Sequence, residues 1–565
     1  MKRIIILLFF ISPMLQACKK EFLQPVDQNA LTLETYYSNE ANLKNVVFGV
    51  YKELLQDGDY SAKGLYGATM WCFADGGADL IDSRTFNADG MNPLAFQRGI
   101  QRPTEGILND MWTRNYQIVR RANDVAGNIE KVPLKDVFTL AERNQYLGEV
   151  LFLRALAYFN LVRTFGGRPH VSSENEWGIP LITKPITSLS DVHDTSLWKR
   201  TKVSDVYAQI ISDLKTASGF LPVQWDGSNI GRATKGAAFG LLAKVFMTKA
   251  GTGGNGNQDW TNAQRYCDSV TSLGIYALWT NRGVMGNAYG TLFRRVATNC
   301  SESLFEVQCE PLSSGDGSKE YGFGENYNNF LAISWDMANN NKGVANPTQD
   351  FVNMYDTSKD DRFKASIFKP GDTWLPDFTA DLFTNSDGTV WHYDPLLASP
   401  NPSLTGYNVK KYVSGQKGGH AQWETGPANP RVLRFAEILL IKAEALNEMG
   451  DGANAKLFVD QVRSRANLPG LPAGLSQTDM RHAIWNERAK ELFMEADRWF
   501  DLKRTDMLLS SMIKKNNNLP QSYTDPSHSE AIYSANFTTN RNYVMPIPQG
   551  EIDICQGTLK QYPGY

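Results

Sequence analysis

The sequence predicts a mainly α fold: about four helix pairs stacked as a tetratricopeptide-like scaffold, with a loop-rich, mixed insertion that carries the ligand site. Three observations predict it. Apolar residues recur with helical period in paired segments at 104–165 and 204–249, and the pattern returns at 431–514. Between them, residues 274–430 are dense in Gly, Asn, Asp, Ser and Pro and hold five of the thirteen Trp. A single helical hairpin buries only part of its apolar face, so such pairs must stack. No strict 34-residue period is present, and the likeness is one of architecture.

The chain has 565 residues, 57 Lys+Arg against 60 Asp+Glu and 42% hydrophobic residues, which describes a folded protein. No basic cluster exceeds pairs such as Lys514-Lys515, so a nucleic-acid footprint is excluded. At the start, Met1-Lys2-Arg3 precedes the apolar run Ile4 to Ile11, which Ser12-Pro13 breaks. This reads as an export signal, since eight helical residues extend about 12 Å against a hydrocarbon core of about 30 Å. Leu15-Gln16-Ala17-Cys18 resembles the lipobox of bacterial lipoproteins, which makes Cys18 the lipidated first residue and a stable anchor only with more than one acyl chain. Loss of residues 1–17 removes Lys2 and Arg3 and takes the formal charge from −3 to −5.

Leu108, Met111, Trp112, Asn115, Val119 and Ala122 share one helical face, and Leu147, Leu151, Ala155, Tyr158, Val162 and Phe165 another. Thr104 is the expected cap of the first helix, and Gly166-Gly167 before Pro169 stops the second. A second pair is predicted at 204–218 and 233–249, capped by Ser204 and Thr234, then a shorter helix at 261–273. The last two pairs are predicted at 431–449 with 453–466 and at 478–495 with 498–514. Residues 60–103 have the loop-rich texture of 274–430. The organisation that follows is a signal at 1–17, an N-terminal part at 18–273 with a binding loop at 60–103, the insertion at 274–430 and a C-terminal part at 431–565, in one compact body.

Catalytic motifs are missing: no HExxH, GxSxG elbow or Walker loop occurs, and Gly251 to Gly256 matches GxGxxG between helices instead of between a strand and a helix. Glu487, Glu491 and Glu495 lie one turn apart, a spacing that suits salt bridges to neighbouring helices better than glycosidase chemistry. Asp75 with Asp79, or Asp360 with Asp361, offers oxygen ligands for a structural Ca²⁺, but no motif indicates one and no cofactor is expected. Behind the anchor, Cys72, Cys267, Cys300, Cys309 and Cys555 are odd in number and lack CxxC spacing. Mostly buried thiols are expected, with Cys300 and Cys309 the closest pair.

Four segments together resemble the SusD/RagB family of outer-membrane lipoproteins of Bacteroidetes. They are FLRALAYFNLVRTFGGRP at 152–169, GRATKGAA at 231–238 with LLAKV at 241–245, LRFAEILLIKAEAL at 433–446 with Glu487-Arg488, Glu491-Leu492 and RWFDLKR at 498–504, and the ending PIPQGEI at 546–552 with QYPGY at 561–565. Ala489 stands where the family has a second Arg, and Ala496 where it has Gly. The resemblance implies a helical scaffold with a loop-rich binding half and a non-catalytic role. It implies a lipid-anchored protein on the outer membrane that captures a nutrient, commonly an oligosaccharide, for a SusC-like TonB-dependent transporter. Capture of a peptide or another non-sugar nutrient, as in the RagB branch, is the alternative.

Sugar capture needs flat aromatic faces and planar hydrogen-bonding groups. Trp335, with Tyr327 before it and Asn339 to Asn341 after it, is the leading candidate, because it precedes the Pro347 to Phe351 and Asp360 to Arg362 stretch that resembles a family segment flanking the site. Asp79, Arg84 and Phe86 form a second group, and Trp279 is a further candidate. Trp112, Trp485 and Trp499 lie on helical stripes and read as packing.

Overall fold

The longest helix begins at reciprocal caps: Thr139 Oγ1 accepts the Glu142 N–H at 3.2 Å, and the Glu142 carboxylate accepts the Thr139 N–H at 2.7 Å. It runs Leu140–Phe165 and stops at Gly166. The structure is a computed structural model, and it describes residues 37–54, 64–83, 93–135, 138–252, 258–283, 286–308, 345–369, 371–372, 405–412, 429–517, 536–537 and 541–565. Residues 1–17 and Cys18, Arg84, Phe86, Cys309, Tyr327 and Trp335 lie outside the described residues.

The principal helices, in chain order, are α1 Glu40–Lys52, α2 Met70–Ala74, α3 Pro93–Gln97, α4 Gly106–Asn128, α5 Leu140–Phe165, α6 Val203–Phe220, α7 Lys235–Ala250, α8 Gln258–Ser272, α9 Gln349–Val352, α10 Asp361–Ser366, α11 Phe435–Glu448, α12 Gly452–Arg465, α13 Gln477–Glu491, α14 Arg498–Arg504 and α15 Leu508–Asn517. From α4 to α8 each helix packs on the next, α8 packs on α11, and α11 carries both α12 and α13. The mainly α, tetratricopeptide-like architecture is therefore present, and its apolar stripes merge into one core. Thr234 caps α7 as expected, and Gly251, at φ 65°, ends it in a conformation that favours glycine.

Several boundaries differ from the sequence expectation. Neither Thr104 nor Ser204 is a cap: α4 starts after Glu105, and Ser204 sits in the first turn of α6 with its N–H donated to Asn175 Oδ1. Residues 431–434 are a strand, not the start of a helix, because their backbone pairs with residues 303–306. The segment 498–514 is interrupted at Asp506, whose φ is 57°, and α13 pairs with α11 and α12, so the fourth hairpin does not form as predicted. Within residues 60–103, the described stretches 64–83 and 93–103 are more ordered than their texture suggests. A π-turn at Leu65–Thr69 leads into α2, a strand and α3 follow, and Trp71, Phe73 and Phe96 are buried.

Three short antiparallel ladders tie the loops down. They are β1 Ile81–Ser83 with β3 Ala345–Pro347, β2 Ser303–Glu306 with β6 Arg431–Arg434, and β4 Ile367–Phe368 with β5 Asn408–Val409. Among the cysteines, Cys72 and Cys267 are buried, while Cys300 and Cys555 are half-buried free thiols.

The acidic stripe of α13 enters the interior. Arg434 bonds Glu302 at 2.8 Å, Glu491 at 2.6 Å and Glu495 at 2.6 Å, and Arg362 bonds Asp360 at 2.9 Å and Glu487 at 2.6 Å. Arg465 bonds Glu302 at 2.9 Å and also pairs with Glu491. Burial alone would raise the Glu491 carboxyl, but the guanidiniums of Arg465, Arg434 and Arg362 outweigh it and hold the group well below the ordinary 4.5. Removing one partner of such a buried set leaves uncompensated charge, which costs about 3–5 kcal/mol.

Beyond α13 the backbone turns tightly, with Met494 at φ 61° and Ala496 at φ 64°. The left-handed conformation explains why Gly suits position 496. The turn is pinned by Asp75, whose Oδ2 accepts the Ala496 N–H at 2.7 Å while its Oδ1 has no hydrogen-bond partner among the described residues. Burial pushes the Asp75 carboxyl up to about 8, against the lowering effect of the Ala496 N–H.

Glu491→Gln should lower stability at pH 7 by about 3–5 kcal/mol in urea unfolding. Because the folded-state value is depressed, this contribution exists above the ordinary glutamate range and fades as pH falls through the folded one, so parent and variant should converge in acid. An unchanged urea midpoint at pH 7 would remove the network from the account of stability. For Asp75 the sign is opposite. Its raised value means stability is lost as pH climbs from about 4 to about 8, so Asp75→Asn should show a flatter urea midpoint between pH 5 and 9 than the parent and exceed it at pH 9. Parallel pH profiles would show that Asp75 is already ionised.

Candidate functional site

A cleft of about 800 Å³ opens where the C-terminal helices meet the β1/β3 ladder. That volume lies in the range of small-molecule sites, about 300–1,000 Å³. One wall is the ladder with its flanks: Asp79, Leu80 and Asp82 precede or lie on β1, and Thr348 to Met354 follow β3. Thr348 joins the two, donating its N–H to Leu80 O at 2.9 Å and capping α9 through the Phe351 N–H. The other wall is built by His482, Trp485 and Asn486 of α13, with Arg498 of α14 and Lys514 and Lys515 of α15.

Opposite charges pair along these walls. Arg498 grips both oxygens of Asp79 at 2.7 Å, Lys515 stands 3.4 Å from Asp82, and Lys514 stands 3.7 Å from Asp350. Asp501 is held by Arg488 at 2.9 Å and Arg504 at 2.8 Å. Burial would raise the Asp79 carboxyl, but the Arg498 guanidinium holds it below the ordinary range, and burial lowers the Lys515 ammonium. Each of these four carboxylates is thus tied to a cation, and what the cleft presents to a ligand is hydrogen bonding and apolar contact.

Trp485 supplies the apolar part. Its ring is half-buried, its Nε1 donates to Glu444 Oε1 at 2.9 Å, and His482 lies 5.6 Å from it, centroid to centroid. The indole is therefore fixed in orientation before any ligand arrives. The carboxylates weighed as Ca²⁺ ligands have other partners: Asp75 accepts the Ala496 N–H, Asp79 pairs with Arg498 and Asp360 with Arg362. Among the described residues no three His, Cys, Asp or Glu side chains converge as a metal site requires.

Of the residues nominated from sequence, Asp79 lies on the cleft wall, in the ion pair with Arg498. Arg84 and Phe86 lie outside the described residues, as do Tyr327 and Trp335, but one end of each of their segments joins the described fold at the same ladder. Residues 84–92 follow Ser83 and residues 309–344 precede Ala345, and those two residues face each other across the ladder. The segments 373–404 and 518–535 adjoin Thr405 and Asn517, which lies two residues beyond Lys515, and both Thr405 and Lys515 line the cleft. The ladder itself spans two residue steps, about 7 Å.

Trp279 is not brought to the cleft. Its N–H donates to Glu302 and its Nε1 to Thr291, which fixes it beside the α8 to β2 connection. Trp485 was read as packing and instead faces the cleft. The signal was present, since His482, Trp485 and Asn486 form one face of α13 away from Ile484, Glu487 and Glu491, which are buried. Trp112 and Trp499 are core, as expected.

Comparison with known proteins places this geometry. Residues 301–565 match the model described as the SusD family, and residues 38–247 match the model described as "Starch-binding associating with outer membrane". The SusD-like protein P2 of Formosa agariphila is 25% identical over 557 residues, covering 95% of this chain and 94% of the relative. Among solved structures, a SusD-like protein from Bacteroides fragilis superposes with a TM-score of 0.71 at 23% identity, over 96% of this chain and 100% of that one. Surface glycan-binding protein A from Bacteroides thetaiotaomicron, solved in complex with laminarihexaose, superposes with a TM-score of 0.65 at 19% identity, over 93% and 99%. At such identities the structural likeness speaks for the fold alone. The two family models, in order along most of the chain, with a relative matched nearly end to end and the shared helical fold, establish that the chain belongs to the SusD/RagB family.

Proposed function

We propose that this protein is a non-catalytic, cell-surface lipoprotein that captures an oligosaccharide and passes it to a SusC-like TonB-dependent transporter in the outer membrane. One observation carries the reading: both nominated loop groups are joined to facing residues of one ladder, Ser83 and Ala345, beside a cleft with an oriented indole. Aromatic faces with neutral amides and hydroxyls are what sugar rings require. The family description "Starch-binding associating with outer membrane" and the structural neighbour solved in complex with laminarihexaose support the same reading. In it Cys18 carries the lipid, and the cleft does no acid–base work because its carboxylates are tied to cations.

Three outcomes are expected. Residues 19–565, titrated calorimetrically against glycan oligomers and a mixed peptide pool, should give heat with one glycan class and release no shorter products. Heat from peptides alone would move the protein to peptide capture, and any hydrolysis would end the non-catalytic reading. Trp335→Ala and Phe86→Ala should each weaken that binding by tenfold or more, roughly 1.4 kcal/mol, while the thermal midpoint moves by less than about 2 °C. A fall of many degrees would place those rings in the core, where loss of Trp or Phe costs about 3–5 kcal/mol. Cys18→Ser should abolish labelling by radioactive palmitate and release the chain from the membrane fraction, and retained label would relocate the anchor.

A further inference from the structure

The charge pattern of the cleft says which kind of glycan fits it. We infer that the cleft selects a neutral oligosaccharide, one without uronate or sulfate groups, and this rests on the glycan-binding reading above. The described lining contains the basic side chains Arg498, Lys514 and Lys515 and the four carboxylates Asp79, Asp82, Asp350 and Asp501, the last held by Arg488 and Arg504. Each of the three cations is paired within the cleft. Arg498 places two guanidinium nitrogens on Asp79, a bidentate geometry that an incoming anion would have to displace. Lys515 is buried and its Nζ already donates to Ala78 O and Ile81 O besides facing Asp82. Lys514, at the exposed rim, has Asp350 beside it.

A polyanion gains affinity by pairing with cations whose charge is uncompensated, and here each cation of the described lining already faces a carboxylate. Taking Arg498 from Asp79 would strand a shielded carboxylate without its partner. A neutral sugar does not face that penalty. Its hydroxyls find Thr348, Gln349 and Asn486, and its apolar face finds the Trp485 ring, whose orientation the Glu444 carboxylate fixes. His482, the other basic side chain of the lining, lies tilted against that ring, 5.6 Å between centroids.

The test uses the full-length protein in detergent at pH 8, titrated with neutral hexasaccharides (β-glucan, α-glucan, xylan and mannan series) and with anionic ones (uronate and sulfated galactan series), at 50 and 500 mM NaCl. Binding of a neutral series, with a Kd that changes less than about twofold between the two salt concentrations, is expected, and the anionic series should bind at least tenfold more weakly. Salt-sensitive binding of an anionic series equal to or tighter than any neutral one would overturn the inference and leave the glycan reading standing. Silence towards every saccharide would sink both. Trp485→Ala should weaken neutral binding about tenfold while Trp485→Phe, which keeps a ring on the same wall, retains most of it. Parental affinity in a folded Trp485→Ala protein would put the sugar outside the cleft and overturn the inference.

Discussion

The placement of α13, and with it one wall of the cleft, depends on the buried carboxylate of Glu491. It receives Arg434 from β6, Arg465 from α12 and Arg362 from α10, and those cations in turn hold Glu302, Glu487, Glu495 and Asp360. Apolar packing is tolerant of sliding, whereas a buried charge set is not, because any misregistered helix leaves an ion without its partner. The network therefore fixes α13 in rotation as well as position. That rotation presents Ile484 and the glutamates inward and His482, Trp485 and Asn486 to the cleft.

The same constraint reaches the loop side through the turn after α13. Two left-handed residues, Met494 and Ala496, reverse the chain so that Asp497 can meet Lys244 of α7 at 2.7 Å and Arg498 can meet Asp79. An L-residue in that conformation costs about 1–2 kcal/mol, and Asp75 retains the turn by accepting the Ala496 N–H in a site where its own ionisation is disfavoured. A strained backbone, an acid whose ionisation burial disfavours and a bidentate pair thus occupy neighbouring positions, and together they set the cleft wall.

What the sequence discloses and what it hides follow from the range of the forces involved. The apolar stripes of α4 and α5 were legible because periodicity is local, as was the Gly166 stop of α5, whereas the Thr139–Glu142 capping box was not read. Residues 431–434 were not, since Arg431 to Arg434 run smoothly into a helical pattern and only pairing with residues 303–306, far away in the chain, makes them a strand. The salt-bridge reading of Glu487, Glu491 and Glu495 was correct, yet their partners could not be named from spacing. Asp79 was picked as a ligand residue while the cation that occupies it, Arg498, lies more than 400 positions away. Trp485 was misread for the opposite reason: a Trp on a helix is usually core, and here the glutamates took the inward face. The placement of Trp279 away from the cleft reflects Glu302, which holds its N–H and belongs to the same buried charge set.

The cleft lies on a seam between the parts of the chain matched by the two family models, and its chemistry is a consequence of how that seam closes. Lys244 from the N-terminal part reaches Glu437 and Asp497, Lys503 donates to the Arg163 and Gly166 carbonyls, and Lys515 donates to those of Ala78 and Ile81. Ion pairs and charged donors used to join two parts are, by the same act, withdrawn from ligand recognition. Under the proposed function, such a surface would recognise its ligand through shape, neutral hydrogen bonds and aromatic faces, while the ion pairs of the joint stay in place. Under the proposed function, scaffold and binding surface are then free to change separately.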